Sequence, residues 1–290
     1  MGRITALVAG ALLLVLVGAA CGERSEPTGS AATLYPITIP SPSGGKPLVV
    51  RKAATRIAVI APGLQRILTA LGAQRDVAGT PVAQNGSLLV SQLRSLRPDL
   101  IVASSTSDDQ EVGQAARAVP KALVYQAPDD SIDGVEQTIT QLGLITGRAG
   151  PAERLVRTIE NKRAIVDKRL AGTHGVSVFV DTGLFVTVSS QSLIGDMLRE
   201  VHAQNVAGDS PQVGAFDLGD LARIDPAWYI ATSDSGTTLA KLRRDPKTRK
   251  LRAVRNGHFA TVNVAQLTPS PSIGQGLLDL ARLLHPDAFR

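Results

Sequence analysis

Leu93-Arg94-Ser95-Leu96-Arg97-Pro98-Asp99-Leu100-Ile101-Val102-Ala103 reads as a helix end halted by a proline and followed at once by a buried strand. The same grammar returns at Leu221-Ala222-Arg223-Ile224-Asp225-Pro226-Ala227-Trp228-Tyr229-Ile230-Ala231. Leu93, Leu96, Pro98, Ala103 and Ser105 have their equivalents in Leu221, Ile224, Pro226, Ala231 and Ser233, at a constant offset of 128 residues. Upstream, Ala73 to Thr80 is echoed by Ala203 to Asp209 with one residue dropped. Two echoes in the same order imply a chain built twice on one plan, as two lobes.

Working outward, Arg56 to Ile60 is a strand, Pro62-Gly63 turns the chain, and Leu64, Ile67, Leu68 and Leu71 mark one face of a helix over 64–72. Lys121 to Tyr125 reads as a further strand and Ser131 to Leu142 as a helix. Strands alternating with helices imply an α/β fold with central parallel sheets. Between the echoes, Leu155, Ile159, Val166 and Leu170 recur near helical spacing, with Pro151 suited to a first turn and Gly172 to the position past the end. The reading divides the chain into an N-terminal lobe over 51–150, a single long connecting helix over 151–171 and a C-terminal lobe over 172–290.

Residues 1–20 run from Arg3 through an apolar stretch, Ala6 to Val17, to Gly18-Ala19-Ala20. This is a secretory signal layout, and about 12 apolar residues are too few for a helix to span a bilayer, which takes about 20. Cys21, the only cysteine, follows the small residues and resembles the lipidated first residue of a bacterial lipoprotein, although Gly18 stands where a bulkier residue is usual; an ordinary cleaved signal is the alternative. Residues 21–50, rich in Ser, Pro and Gly, read as a flexible tether. A lone cysteine excludes an intrachain disulfide. One Trp, three Tyr and five Phe in 290 residues argue against a surface that stacks bases, and a net charge of +6 is a mild bias that does not imply nucleic acid.

The chain resembles the extracytoplasmic solute-binding proteins of ABC importers for iron chelates, haem and cobalamin. Six segments in family order carry the likeness: Arg56 to Pro62 with Leu71-Gly72-Ala73, Leu96 to Ile101, Gly143 to Arg148, Arg244-Asp245-Pro246, Ala253 to Gly257, and Leu280 to Pro286. The resemblance implies two lobes joined by one helix, a monomer, and a small-molecule chelate delivered to an ABC permease from the outer face of the cytoplasmic membrane. It implies no cofactor of the protein's own, since a bound chelate would itself carry the iron or cobalt. The family tends to present a Glu seven residues before each strand-preceding proline for docking on the permease; those places hold Ser91 and Gly219 here, leaving Asp217 and Asp220 as the nearest substitutes in the second lobe. The missing pair keeps open an alternative, a binding-protein-fold lipoprotein with a regulatory or scaffolding role and no transport.

A ligand held between two α/β lobes meets the loops at the carboxyl ends of the strands. The expected contacts are Gly63, Gln65, Thr80, Ser104, Ser105 and Thr106 in the first lobe, and Phe185, Ser189, Ser190, Gln191, Ser233, Asp234 and Gln266 in the second. Such Ser and Thr clusters also cap helices and solvate turns. The hydroxyls and amides suit a polar, oxygen-rich chelate, which ranks an iron–siderophore ahead of haem or a corrinoid. No metal site is expected, because His174, His202, His258 and His285 all fall after or at the end of the connecting helix and the first lobe has none. Tyr125 and Tyr229 fall in expected strands, where packing is their ordinary role. No catalytic residue is assigned: the chain lacks a Gly-x-Ser-x-Gly elbow, a phosphate-loop Lys and a His-Glu-x-x-His. The basic run Lys241 to Arg255 reads as a solvated face that anionic headgroups would attract.

Overall fold

A computed structural model describes residues 33–40, 46–209 and 215–290. The signal segment, Cys21 and most of the expected tether lie outside the described residues. The chain opens with an antiparallel pair, β1 (Ile37–Ile39) and β2 (Leu48–Val50). The first lobe follows: β3 (Ile57–Val59), α1 (Gln65–Ala70), β4 (Val77–Gly79), α2 (Val90–Leu96), β5 (Leu100–Ser104), α3 (Asp109–Ala118), β6 (Leu123–Ala127) and α4 (Ile132–Ile145). After α5 (Ala149–Leu170) come β7 (Val176–Asp181), α6 (Leu193–Glu200), β8 (Ala203–Asn205), α7 (Leu218–Ile224), β9 (Trp228–Thr232), α8 (Leu239–Arg244), α9 (Arg252–Asn256), β10 (Phe259–Val262) and α10 (Ile273–Leu284).

Each lobe carries a four-stranded parallel sheet, ordered β4-β3-β5-β6 in the first and β8-β7-β9-β10 in the second. The two orders are the same when strands are counted within a lobe. The runs Ile57–Val59 and Leu100–Ser104 are buried at every position, as strands covered on both faces must be. The offset of 128 relates whole elements, α2 to α7 and β5 to β9, and also the left-handed residues that end the two helices, Arg97 (φ 43°) and Asp225 (φ 50°). Each precedes a proline, whose ring disfavours the helical conformation at the residue before it. The upstream echo does not mark equivalent strands: Val77 opens β4, whereas its match Val206 follows β8.

The expected tether over 21–50 is corrected at its C-terminal end. Tyr35 donates its hydroxyl to the Leu144 carbonyl at 2.7 Å, and Ile39 and Val50 are buried in the first lobe's core. Period-two apolar residues in β1 and β2 build this flap, although the surrounding Pro and Gly composition reads as linker.

The connecting helix begins two residues before expectation, with Pro151 still in its first turn. At 1.5 Å per residue its 22 residues span about 33 Å. Its buried Ile159, Val166 and Leu170 belong to one apolar core that runs from Ile57 and Leu100 of the first sheet to Val178 and Ile230 of the second. Separate clusters cover the outer faces, around Leu93 and Ile101 in one lobe and Phe179 and Tyr229 in the other. Because the inner core is shared, separating the lobes would expose apolar surface at about 25 cal/mol per Å².

Candidate functional site

A cavity of about 630 Å³ lies between the lobes, within the range of small-molecule sites. Its walls are chain segments at the carboxyl ends of strands: Ala61 to Leu64 after β3, Ser104 to Thr106 at the end of β5, Asp129 and Asp130 after β6, Val188, Ser189 and Gln191 to Ile194 running from the loop after β7 into the first turn of α6, and Leu267 to Pro269 after β10.

Two helix starts are built alike at this interface. Ser131 caps α4 by accepting from the Gly134 N–H at 3.1 Å, and Ser192 caps α6 by accepting from the Gly195 N–H at 3.2 Å. In both, glycine at the third helical position admits a crossing carbonyl. A Cβ on Gly134 would stand 1.8 Å from the Pro128 oxygen, and one on Gly195 2.4 Å from the Ser190 oxygen. The sequence carries no signal for this close approach.

On the first-lobe wall the buried Asp129 gathers three bonds on Oδ1. Ser104 Oγ donates at 2.7 Å, the Ser105 N–H at 3.0 Å and Ser105 Oγ at 2.9 Å. Thr106 Oγ1 lies 2.9 Å from Ser104 Oγ and its N–H donates to the same oxygen at 3.1 Å. In the second lobe the fully buried Asp181 accepts from the Gly183 and Phe185 N–H groups through Oδ1 and from the Tyr229 and Thr237 hydroxyls through Oδ2. Burial, then the Asp181 charge and hydrogen bond, hold the Tyr229 hydroxyl well above its ordinary pKa.

Of the expected contacts, Gly63, Ser104, Ser105, Thr106, Ser189 and Gln191 line the cavity. The others stand elsewhere for identifiable reasons. Gln65 opens α1 on its exposed side, and Thr80 follows the sheet-edge strand β4. Phe185, at φ 62°, packs on the outer core of the second lobe. Ser190 lies against Gly208, donating its N–H to the Gly208 carbonyl and accepting from the Arg199 guanidinium through its own carbonyl. Ser233 Oγ accepts from the Val264 N–H, Asp234 is exposed, and Gln266 donates to Asp279. Asp129, Asp130 and the apolar Val188, Leu193, Ile194 and Leu267 line the cavity without having been expected to. The Pro128-Asp129-Asp130 turn after a strand was the available signal.

A family model described as periplasmic binding protein matches residues 47–264. The chain belongs to the periplasmic binding protein family. No curated protein sequence matches it. Among solved structures, this binding protein is similar to Helicobacter pylori CeuE with Ni(II) bound (TM-score 0.76, 15% identity, 87% of this chain and 90% of that one). It is also similar to Haemophilus influenzae MolA bound to molybdate (0.75, 15%, 87% and 92%) and to the vitamin B12 binding protein BtuF of Vibrio cholerae (0.69, 14%, 82% and 98%). At these identities the likeness is one of fold.

In this periplasmic binding protein the two acids expected to dock on a permease sit in the first turn of α7. Asp217 caps the helix by accepting from the Asp220 N–H, and Asp220 pairs with Arg223 at 2.6 Å. Ser91 and Gly219 occupy matching exposed positions on α2 and α7. Tyr125 is buried with its hydroxyl on Gln141, and Tyr229 is held by Asp181, so neither offers an oxygen to the cavity. Among the described residues no cluster of three His, Cys, Asp or Glu suits a metal ion, and no helix is long and apolar enough to cross a membrane. The eight basic residues of the Lys241 to Arg255 run are all exposed, on α8, α9 and their connection.

Proposed function

We propose that this chain is a lipid-anchored, extracytoplasmic solute-binding protein that takes a metal chelate of the iron–siderophore type, or haem or a corrinoid, into the inter-lobe cavity and passes it to an ABC permease. The cavity carries the reading: both lobes contribute strand-end loops to one space large enough for a small molecule. Membership of the periplasmic binding protein family supports capture outside the cytoplasm, and the differing ligands of the structural neighbours leave the chemistry to this chain's own wall.

Thermal unfolding with a panel of ferric chelates, haem and cobalamin tests capture. A true ligand at 100 times its Kd stabilises the domain by about 2.7 kcal/mol. No shift with any of them would sink the transport reading in favour of a scaffold. Anchoring rests on Cys21: Cys21→Ala should release the protein from the membrane fraction, and continued membrane binding would place the anchor elsewhere. Docking through the second lobe predicts a co-purifying permease complex that is lost on charge reversal at Asp220.

A further inference from the structure

The first-lobe wall of the cavity is an acceptor surface. Ser104 and Ser105 both donate their hydroxyl protons to Asp129 Oδ1, and the Thr106 hydroxyl, 2.9 Å from Ser104 Oγ, then has that oxygen as its acceptor. Ser104 Oγ spends both of its lone pairs on the Thr106 hydroxyl and N–H, whereas Ser105 Oγ and Thr106 Oγ1, with their protons spent inward, keep lone pairs for a ligand. Asp129 Oδ2 accepts from no group among the described residues, yet it is not sealed from solvent, although the residue as a whole is only 5% exposed. Asp130 adds a second, exposed carboxylate.

No Lys, Arg or His is among the described residues that line the cavity. Arg66 reaches its rim from α1, where its guanidinium is directed at the Ala265 carbonyl (3.4 Å) and Thr268 Oγ1 (3.3 Å) of the other lobe. An anion entering this space would meet two carboxylates on this wall and no cationic side chain in the lining to offset them. A cation or N–H donor would meet an open carboxylate oxygen whose partner atom is already fixed by three bonds.

We propose that the cavity selects a ligand without net negative charge that presents a hydrogen-bond donor to Asp129 Oδ2. This rests on the cavity being the ligand site, and it narrows the chelate class. Three hydroxamates neutralise ferric iron, so a trihydroxamate with a pendant ammonium is cationic and fits. A ferric tris-catecholate, a haem with ionised propionates and molybdate are anionic and do not. The polar wall thus excludes part of the oxygen-rich class that its hydroxyls seemed to invite.

Calorimetry on the purified protein at low salt tests this with four probes: a linear ferric trihydroxamate bearing a primary ammonium, the same chelate N-acetylated, a ferric tris-catecholate and molybdate. The ammonium chelate should bind about tenfold or more tightly than its acetylated form, and both anions should bind more weakly still. Asp129→Asn should erase the preference for the ammonium, bringing the affinities of the ammonium chelate and its acetylated form together. Asp130→Asn, at an exposed position, should reduce the preference without endangering the fold. Tighter binding of either anion, or an unchanged ammonium preference in both variants, overturns the charge selection while leaving the cavity a ligand site. Failure of every probe to bind removes the ligand-site reading, and this inference with it.

Discussion

Asp196 of the second lobe accepts a hydrogen bond through Oδ2 from the backbone N–H of Ile132 in the first lobe, at 2.8 Å. The carboxylate thus serves a first-turn N–H of α4 that has no partner within the helix, while its Oδ1 pairs with Arg199 at 2.6 Å. Arg163 on α5 makes the second inter-lobe link, reaching Asp133 and Glu136 of α4 with one nitrogen and Glu200 of α6 with another, at 2.7, 3.3 and 2.7 Å. Added to the shared apolar core, these links hold the cavity open in one shape, so a ligand meets a largely pre-formed site. Asp196→Ala should cost about 1–3 kcal/mol by stranding the Ile132 donor, and Asp196→Asn less, because an acceptor remains. Urea midpoints that are equal for the two variants would deny the link its role.

Glu136 gives this junction a pH dependence. Burial raises its pKa above the ordinary glutamate range, against the opposing pull of Arg163. A raised carboxyl pKa means the folded protein holds the proton longer than the unfolded chain does. From about pH 4.3, where an unfolded Glu ionises, up to the native value, this group makes stability fall with rising pH. Glu136→Gln, which mimics the protonated form and keeps an acceptor for Arg163, should therefore gain on the parent as pH rises through that window and level off above it. Chemical unfolding of both proteins across the window checks the sign; a difference that is flat with pH would refute the assignment.

Gly134 and Gly195 should reject alanine although each lies in a helix. Alanine favours a helix interior by about 1 kcal/mol, but its Cβ would meet the Pro128 oxygen at 1.8 Å or the Ser190 oxygen at 2.4 Å, and backbone must move to relieve either. Overpacking of this kind costs about 1–3 kcal/mol, so a net loss is expected at both positions, with weakened ligand binding because the displaced loops form the cavity walls. A rise in Tm for either variant would show that the loops yield freely.

The lobe plan was legible because Pro98 and Pro226 stop equivalent helices and the apolar runs behind them have no other reading than buried strands. The cavity was half legible. Counting to strand ends found Ser104, Ser105, Thr106 and Ser189, since a parallel strand delivers the residue after it to a known edge. It missed Asp129, because an aspartate in a Pro-Asp-Asp turn looks like solvated turn chemistry until its neighbours across the sheet are known. It misplaced Phe185, whose positive φ turns the ring into the outer core. It also took the β1–β2 flap for tether, since three-residue strands among prolines are too short for their alternation to stand out.

Asp181 and Asp129 are both buried carboxylates beside strand ends, and their hydrogen bonds predict opposite phenotypes. Asp181 spends both oxygens on the protein, tying the turn after β7 to Tyr229 and Thr237. Asp181→Ala would leave two backbone N–H groups and two hydroxyls without their acceptor, and at about 1–3 kcal/mol for each buried group left unsatisfied it should destabilise the second lobe severely. Asp181→Asn should be milder: its carbonyl still accepts from Gly183 and Phe185, and its amide can donate to Tyr229 and Thr237, whose hydroxyls rotate to accept. Asp129→Asn should change stability least, because its open oxygen serves no protein group, and should act on the charge preference of binding instead. Paired thermal melts and ligand titrations of the three variants separate these roles; a binding defect in Asp181→Asn larger than that in Asp129→Asn would reverse them.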